Sequence, residues 1–493
     1  MLIPTTEARV PRRRRDKRSS ASSLPLRSPA GALASRRKPP AASRRNTSPC
    51  KRILSAEAEI IPGHGPSKRS SSTSSPEATD DASYPTWVML NRVGARRDSY
   101  HGDRTTSAVS CTCGGEQVSV SFELVDPPGT SLLTLDWPQG PRPSKGSNSY
   151  PWVIAAHGNV VLLEIIYGAK YPRPAGIDHF VYKAGGDDPS SLTRLPVRYW
   201  KGPSNADPPQ PRLMSRETTG LLSCSEDSFI VAELESQVQV ANIYFLCSGS
   251  DEWKVFKDVA IRHAHGIAHL CWWSTDMVLA YKDRYLIWVD YFRGMIVADM
   301  THPGTGIIDL QEPAVLRYVP LPVDPVQGNP YHSDYGRGYP EASRSLCNTR
   351  HGLKFVNINQ CGTDFSITMW SLCENRTWRE DAKLDAVQLW DLDSENCLPH
   401  VRPEFPVVDM DNPDVVCFLL NRGRHTPDPG APTWMIKVDM KKKILLDVTD
   451  YSNKASSSGQ NTSMTARTMS KGFSFISSEL PSYLSEQSKK MKR

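Results

Sequence analysis

The chain has 493 residues, length enough for two or three domains, and its 39% hydrophobic and 23% charged residues suit a folded protein. The formal charge of +6 is uneven: residues 1–52 hold 15 Lys and Arg against two acids, residues 452–493 hold seven against two, and residues 84–451 come to −9. An acidic middle excludes a broad nucleic-acid-binding face there, because phosphate neutralisation needs clustered Lys and Arg.

No apolar run reaches membrane-spanning length; the best, Val160-Val161-Leu162-Leu163, is cut at once by Glu164. The N-terminus has no apolar stretch of the secretory kind, so the cysteines are expected in a reducing compartment. They number 11, an odd count, with no Cys-x-x-Cys and one close pair, Cys111 and Cys113. Free thiols acting as small hydrophobes are the reading. The glycosylation-like positions Asn46, Asn375 and Asn461 are then idle.

Residues 1–83 are rich in Ser, Pro, Ala and Arg and poor in aromatics, a composition that predicts a disordered basic leader. The run from Arg12 to Arg18, echoed at Arg36-Arg37-Lys38, has the density of a nuclear-import signal. The same Arg- and Ser-rich stretch also suits an organellar transit peptide. The expected location is nucleus or cytoplasm, with organellar import as the other possibility. At the far end, residues 452–493 contain 12 serines and close on Lys489-Lys490-Met491-Lys492-Arg493, which predicts a second disordered tail.

Between the ends, over 84–451, the dominant period is two. Val118, Val120, Phe122 and Leu124 alternate with Ser119, Ser121 and Glu123, the pattern of a half-buried strand over Gln117–Val125. Val160–Ile166 is apolar on both faces except Glu164, as in a strand near a sheet centre. Further strands are predicted at Phe229–Leu234, Val238–Leu246, Met277–Tyr281, Tyr285–Val289, Met295–Asp299, Lys354–Ile358, Phe365–Leu372, Val415–Leu420, Trp434–Val438 and Ile444–Asp447. Glu341–Arg350 is the best short helical candidate. About twenty short strands without intervening helices exclude a doubly wound α/β fold and point to an all-β core, a β-propeller-like ring of six or seven blades at ~40–50 residues each.

The stretch Tyr285–Met300 reads as two strands joined at Asp290–Gly294, with Asp290 starting the turn and Gly294 supplying positive φ in a hairpin with a bulge. Arg293 at the tip is expected to be exposed and is the one candidate partner contact. Trp288-Val-Asp-Tyr-Phe-Arg-Gly294 followed by Asp299, Ser366–Leu372 followed by Trp378, Pro406–Leu420, and Trp434–Asp439 stand in the order of a known family's motifs. Pro85–Asn91 matches the opening strand of many members. On these residues the chain resembles the grass-expanded plant family catalogued as "domain of unknown function 1618", with the defining domain at about 287–420. Some members carry an F-box ahead of this region. Residues 1–83 contain no Leu-Pro-rich helical F-box, so a ubiquitin-ligase role does not carry over.

Chemical signatures are sparse. His263, His265 and His269 stand close together, and in a strand His263 and His265 share a face, but no carboxylate or cysteine stands at a matching spacing except nearby Cys271. Gly-x-Ser-x-Gly is missing, and Gly304-Thr-Gly306 lacks the lysine and helix of a phosphate cradle. Asp290, Asp299, Asp391, Asp393, Asp409 and Asp411 fall mostly at predicted turns, where Asp is expected, and nominate no glycosidase pair. Trp272, Trp273, Tyr281, Tyr285 and Trp288 are read as core fillers, with a ligand groove as the alternative. No catalytic residue, metal ligand or cofactor-binding residue is nominated. The functional expectation is a non-catalytic module that binds a protein partner. The alternatives are a hydrolase with a loop-built site on a propeller, and a nuclear protein contacting nucleic acid through its leader.

Overall fold

The structure, a computed structural model, describes residues 84–100, 105–141, 150–167, 176–185, 189–200, 210–263, 270–300, 315–324, 339–362, 364–421, 433–451 and 474–484. The chain divides at Ala78 into two units, and every described strand lies in the second. β1 (Val88–Asn91), β2 (Ala95–Arg97), β3 (Ala108–Cys111), β4 (Gln117–Glu123) and β5 (Thr130–Asp136) share one sheet. β6 (Pro151–His157), β7 (Val160–Tyr167), β8 (Gly176–Lys183) and β9 (Ser191–Arg194) form an antiparallel meander. A small hairpin, β10 (Tyr199–Trp200) with β11 (Gln210–Pro211), leads into a second meander, β12 (Thr219–Ser223), β13 (Phe229–Ser236), β14 (Val240–Cys247) and β15 (Lys254–Arg262).

The third meander is β16 (Met277–Tyr281), β17 (Tyr285–Asp290), β18 (Gly294–Asp299) and β19 (Val315–Pro320). The fourth is β20 (Arg344–Thr349), β21 (Gly352–Cys361), β22 (Asp364–Leu372) and β23 (Trp378–Asp385). A short helix α1 (Ala386–Trp390) separates it from the fifth, β24 (Glu404–Val408), β25 (Val415–Asn421), β26 (Thr433–Asp439) and β27 (Ile444–Asp450).

The first strand of each meander lies innermost, and these strands meet side by side: β6 beside β12, β12 beside β16, β16 beside β20, β20 beside β24. The remaining gap is filled by β28 (Phe475–Ser478), which touches β24 on one side and β6 on the other and pairs antiparallel with β1 through Val88↔Ser478 and Asn91↔Phe475. The first blade is thus built from both ends of the described chain, and the ring closes with six blades. A parallel contact of Ile261 and Arg262 with Leu316 and Arg317 also stitches the outer strands of the third and fourth blades.

Six apolar clusters fill the spaces between neighbouring blades. Each sheet is therefore buried on both faces, which explains the near-continuous apolar sequence of β7: Val160 and Leu162 pack toward the third blade, and Val161, Leu163 and Ile165 toward the first. It also corrects the half-buried reading of β4, where Ser119 and Ser121 are buried as well. At ~25 cal/mol per Å² of apolar area, this two-sided burial is the main stabilising contribution.

Two expectations about elements are overturned. Glu341–Arg350 is not a helix: a 3-10 turn at Pro340–Ala342 gives way to strand β20. The tail expected from residue 452 includes a piece of the core, because β28 and the helical turn over 480–484 lie within it, with Leu480 and Leu484 buried in the first blade. The leader 1–83 and positions 452–473 and 485–493 lie outside the described residues. The helix α1, absent from the sequence reading, starts with a capping box in which Asp385 Oδ1 accepts from the Gln388 amide at 2.8 Å.

Candidate functional site

The hairpin singled out in the sequence is present, but it is packed inside the molecule. Asp290 pairs with Gly294 across a three-residue turn. Asp290 Oδ1 accepts from the Phe292 amide at 2.9 Å and Oδ2 from the Ser274 amide at 3.0 Å, so the turn-cap reading holds. Gly294 is needed for close packing: a Cβ there would stand 2.5 Å from the Val319 carbonyl oxygen and 2.6 Å from the Tyr318 ring. It is absent from the positive-φ glycines, and the register runs through without a bulge, so those two expectations are corrected.

Arg293 is corrected too. It is 4% exposed, its Nη1 lies 3.2 Å from Asp290 Oδ2, and its carbonyl accepts from Tyr318 Oη at 2.9 Å. The next strand, β19, covers the hairpin tip, and burying a guanidinium there requires the neighbouring carboxylate.

Six of the thirteen exposed large apolar side chains among the described residues lie elsewhere, on the segments that carry the chain from the outer strand of one blade to the inner strand of the next. These are Val197, Tyr199 and Leu213 between the second and third blades, Trp272 between the third and fourth, Tyr339 between the fourth and fifth, and Val387 between the fifth and sixth. In an antiparallel meander of four strands every such connection enters the ring where an inner strand begins. The neighbouring inner strands run the same way, since the end of β6 meets the end of β12 (Ser223 amide to His157 Nδ1, 3.0 Å). The six residues therefore belong to one end of the ring. The segment bearing Tyr199 is anchored: Arg198 stacks 4.3 Å over Tyr244 and pairs with Glu233 at 2.5 Å, and Arg212 pairs with Glu235 at 2.8 Å.

The inner strands enclose a central cavity with about 100 Å³ of space open to water. Arg92, Glu341, Arg344 and Ser474 line it at the end where the strands begin, and His157 and Glu479 at the other. Arg344 donates from Nη1 to the Tyr291 carbonyl at 2.6 Å and from Nε to Asn357 Oδ1 at 3.1 Å. The potential nucleophiles here are quenched. Burial pushes the Cys347 thiol up against a weaker opposing bond from Ser345, and burial also raises the Tyr291 phenol. Burial lowers His157, opposed by Asp283, whose Oδ1 lies 3.4 Å from Nε2. Burial raises Glu479, with Asp283 and Asp411 adding to the shift and Arg350 opposing it. Arg350 Nη1 is engaged by Asp411 Oδ1 at 2.7 Å.

The other sequence candidates are dispersed. His263 is described, whereas His265 and His269 lie outside the described residues; no group of three metal-ligating side chains occurs among the described residues. Trp288 and Trp273 pack between the third and fourth blades, Tyr281 and Tyr285 between the fourth and fifth, and Trp272 is exposed, so they form no common groove. Asp409 and Asp393 cap turns through the amides of Asp411 and Leu398, and Asp391 follows α1 as its C-cap. Asp299 instead pairs with Arg284 from within β18. None of the ten described cysteines is in a disulfide, Cys111 and Cys113 included. No described helix is long and apolar enough to cross a membrane.

Three solved structures illustrate how distant the structural likenesses are. The WD40 domain of SCAP from fission yeast is 9% identical over 71% of this chain and 77% of its own, with a TM-score of 0.26. The α-L-arabinanase of Penicillium chrysogenum is 10% identical over 74% of this chain and 99% of its own, also at 0.26. A prolyl endopeptidase is 9% identical over 71% of this chain, which spans 42% of that enzyme, at 0.25. At these values nothing about activity passes to this chain. No curated protein matches it. The family comparison agrees with the motif order read from the sequence: from Trp288 in β17 to Cys417 in β25, residues 288–417, the chain is similar to the family described as "Protein of unknown function (DUF1618)".

Proposed function

We propose that this protein is a non-catalytic interaction module that binds a protein partner across the end of the ring where the inner strands begin. The observation carrying this reading is the placement of Val197, Tyr199, Leu213, Trp272, Tyr339 and Val387, which include three of the four exposed large aromatic side chains among the described residues, on the inter-blade connections of that end. Exposed apolar and aromatic side chains grouped on one surface mark association sites, and Tyr and Trp are the usual anchors of such interfaces. Arg198 and Arg212 hold one of the segments in place before binding, which lowers the ordering cost of association.

The test is a comparative capture from plant extract, the source implied by the family resemblance, with the full chain as bait. Beside it run Tyr199→Ser/Trp272→Ser/Tyr339→Ser and a control, Asp227→Ser/Arg376→Ser/Lys442→Ser, at turns elsewhere. A stoichiometric partner kept by the control and lost by the first variant supports the reading. A partner retained equally by both, or one lost only when residues 1–52 are deleted, contradicts it.

A further inference from the structure

We propose that the central cavity is a binding site for a small organic carboxylate, held by Arg92. Arg92 follows β1 and is 7% exposed, yet it lines the cavity. Its Nε donates to Ser474 Oγ at 3.0 Å and its Nη1 to the Ile154 carbonyl at 2.8 Å, both neutral acceptors. No carboxylate among the described residues pairs with it. Every other guanidinium among the described residues with so little exposure has one nearby: Arg96 has Asp98, Arg198 has Glu233 and Arg293 has Asp290. A buried charge without a counter-ion carries a solvation cost of several kcal/mol, so native proteins seldom keep one in an empty site.

The surroundings suit an anion with an apolar body. Arg344, the second guanidinium on the cavity wall, stands at the same end as Arg92, and Ser474 and Ser345 add hydroxyls. Glu341 also lines that end, while the hydrogen bonds of Arg92 go to Ser474 and Ile154. Deeper in, Met277, Leu346, Phe405 and Val407 supply apolar wall. The lining mixes apolar wall with polar groups, and a cavity of that kind lets a few polar side chains orient a small ligand. A carboxylate accepts two parallel N–H bonds from a guanidinium, a geometry that an ammonium or a neutral amide cannot match. The open space of about 100 Å³ is several times what one water needs and limits the ligand to a small acid.

The probes are sodium benzoate, its neutral isostere benzamide, and inorganic phosphate, titrated into the full-length protein with calorimetry and thermal unfolding as readouts. Benzoate is expected to bind saturably at millimolar concentration and to raise the unfolding midpoint, with benzamide inert. Phosphate is expected to bind at least tenfold more weakly than benzoate, because it lacks the apolar body. Arg92→Gln is expected to weaken benzoate binding at least tenfold. Should that variant fold poorly, Phe405→Trp in the cavity wall supplies a second readout, and its fluorescence must respond to benzoate and not to benzamide. Equal effects of benzoate and benzamide, no binding of benzoate, or undiminished binding to a folded Arg92→Gln overturns the proposal.

Discussion

The Nε2 of His157, at the last position of β6, lies 3.4 Å from Oδ1 of Asp283 on the turn that joins β16 to β17, tying the second blade to the fourth beside the cavity mouth. His157 is the more buried partner, and burial holds its pKa below the ordinary 6.5 despite the carboxylate. The folded chain therefore favours the neutral ring. The resulting stability is present above pH 6.5 and is lost as pH falls from there through the lower folded-state value. His157→Gln should flatten the fall in unfolding midpoint between neutral pH and about pH 5. An unchanged slope would sink this assignment.

Glu479 works in the opposite sense. Burial first, then Asp283 and Asp411, raise its carboxyl above the ordinary 4.5, and Arg350 only partly offsets them. The folded state favours the protonated acid, so its contribution is present below pH 4.5 and lost as pH rises through the raised value. Glu479→Gln should raise the midpoint at neutral pH, and the gain should vanish at pH values below 4.5. A loss of stability at neutral pH would contradict the account.

Asp290 neutralises the buried Arg293 and caps its own turn. Removing one carboxylate or guanidinium of a buried pair leaves the opposite charge less well compensated. Asp290→Ala should cost about 3–5 kcal/mol in chemical denaturation, and adding Arg293→Met should recover part of that. A loss below about 1 kcal/mol would show the pair to be dispensable.

Gly294→Ala should destabilise by about 1–3 kcal/mol, because the new methyl meets the Val319 backbone oxygen, which cannot swing aside as a side chain does. Equal midpoints for the two proteins would mean that β18 and β19 are less tightly apposed than described.

How much of this was legible in the sequence depends on what local pattern can report. Met277–Tyr281 was predicted with its observed bounds, because polar turn residues flank it. Phe475–Ser478 went unseen: two apolar residues in a serine-rich stretch resemble a tail, and only the gap between β24 and β6 makes them a strand. Hairpin tips usually face solvent, and nothing local to Arg293 announces that β19 covers this one. Tyr199 and Tyr339 carry no local sign of exposure, since a β-rich chain buries most of its tyrosines. The uncompensated charge of Arg92 appears only when the strands are assembled and its neighbours are named.

The proposed binding face is tested most directly by photo-crosslinking. A crosslinking amino acid is placed singly at Tyr199, Trp272 and Tyr339 on the inter-blade connections, and singly at Asp227, Arg376 and Lys442 on turns elsewhere, in full-length protein expressed in plant cells. The account predicts that the first three positions yield adducts to one and the same protein and that the other three do not. Adducts from the second set alone, or none from any position in a well-folded chain, would contradict it.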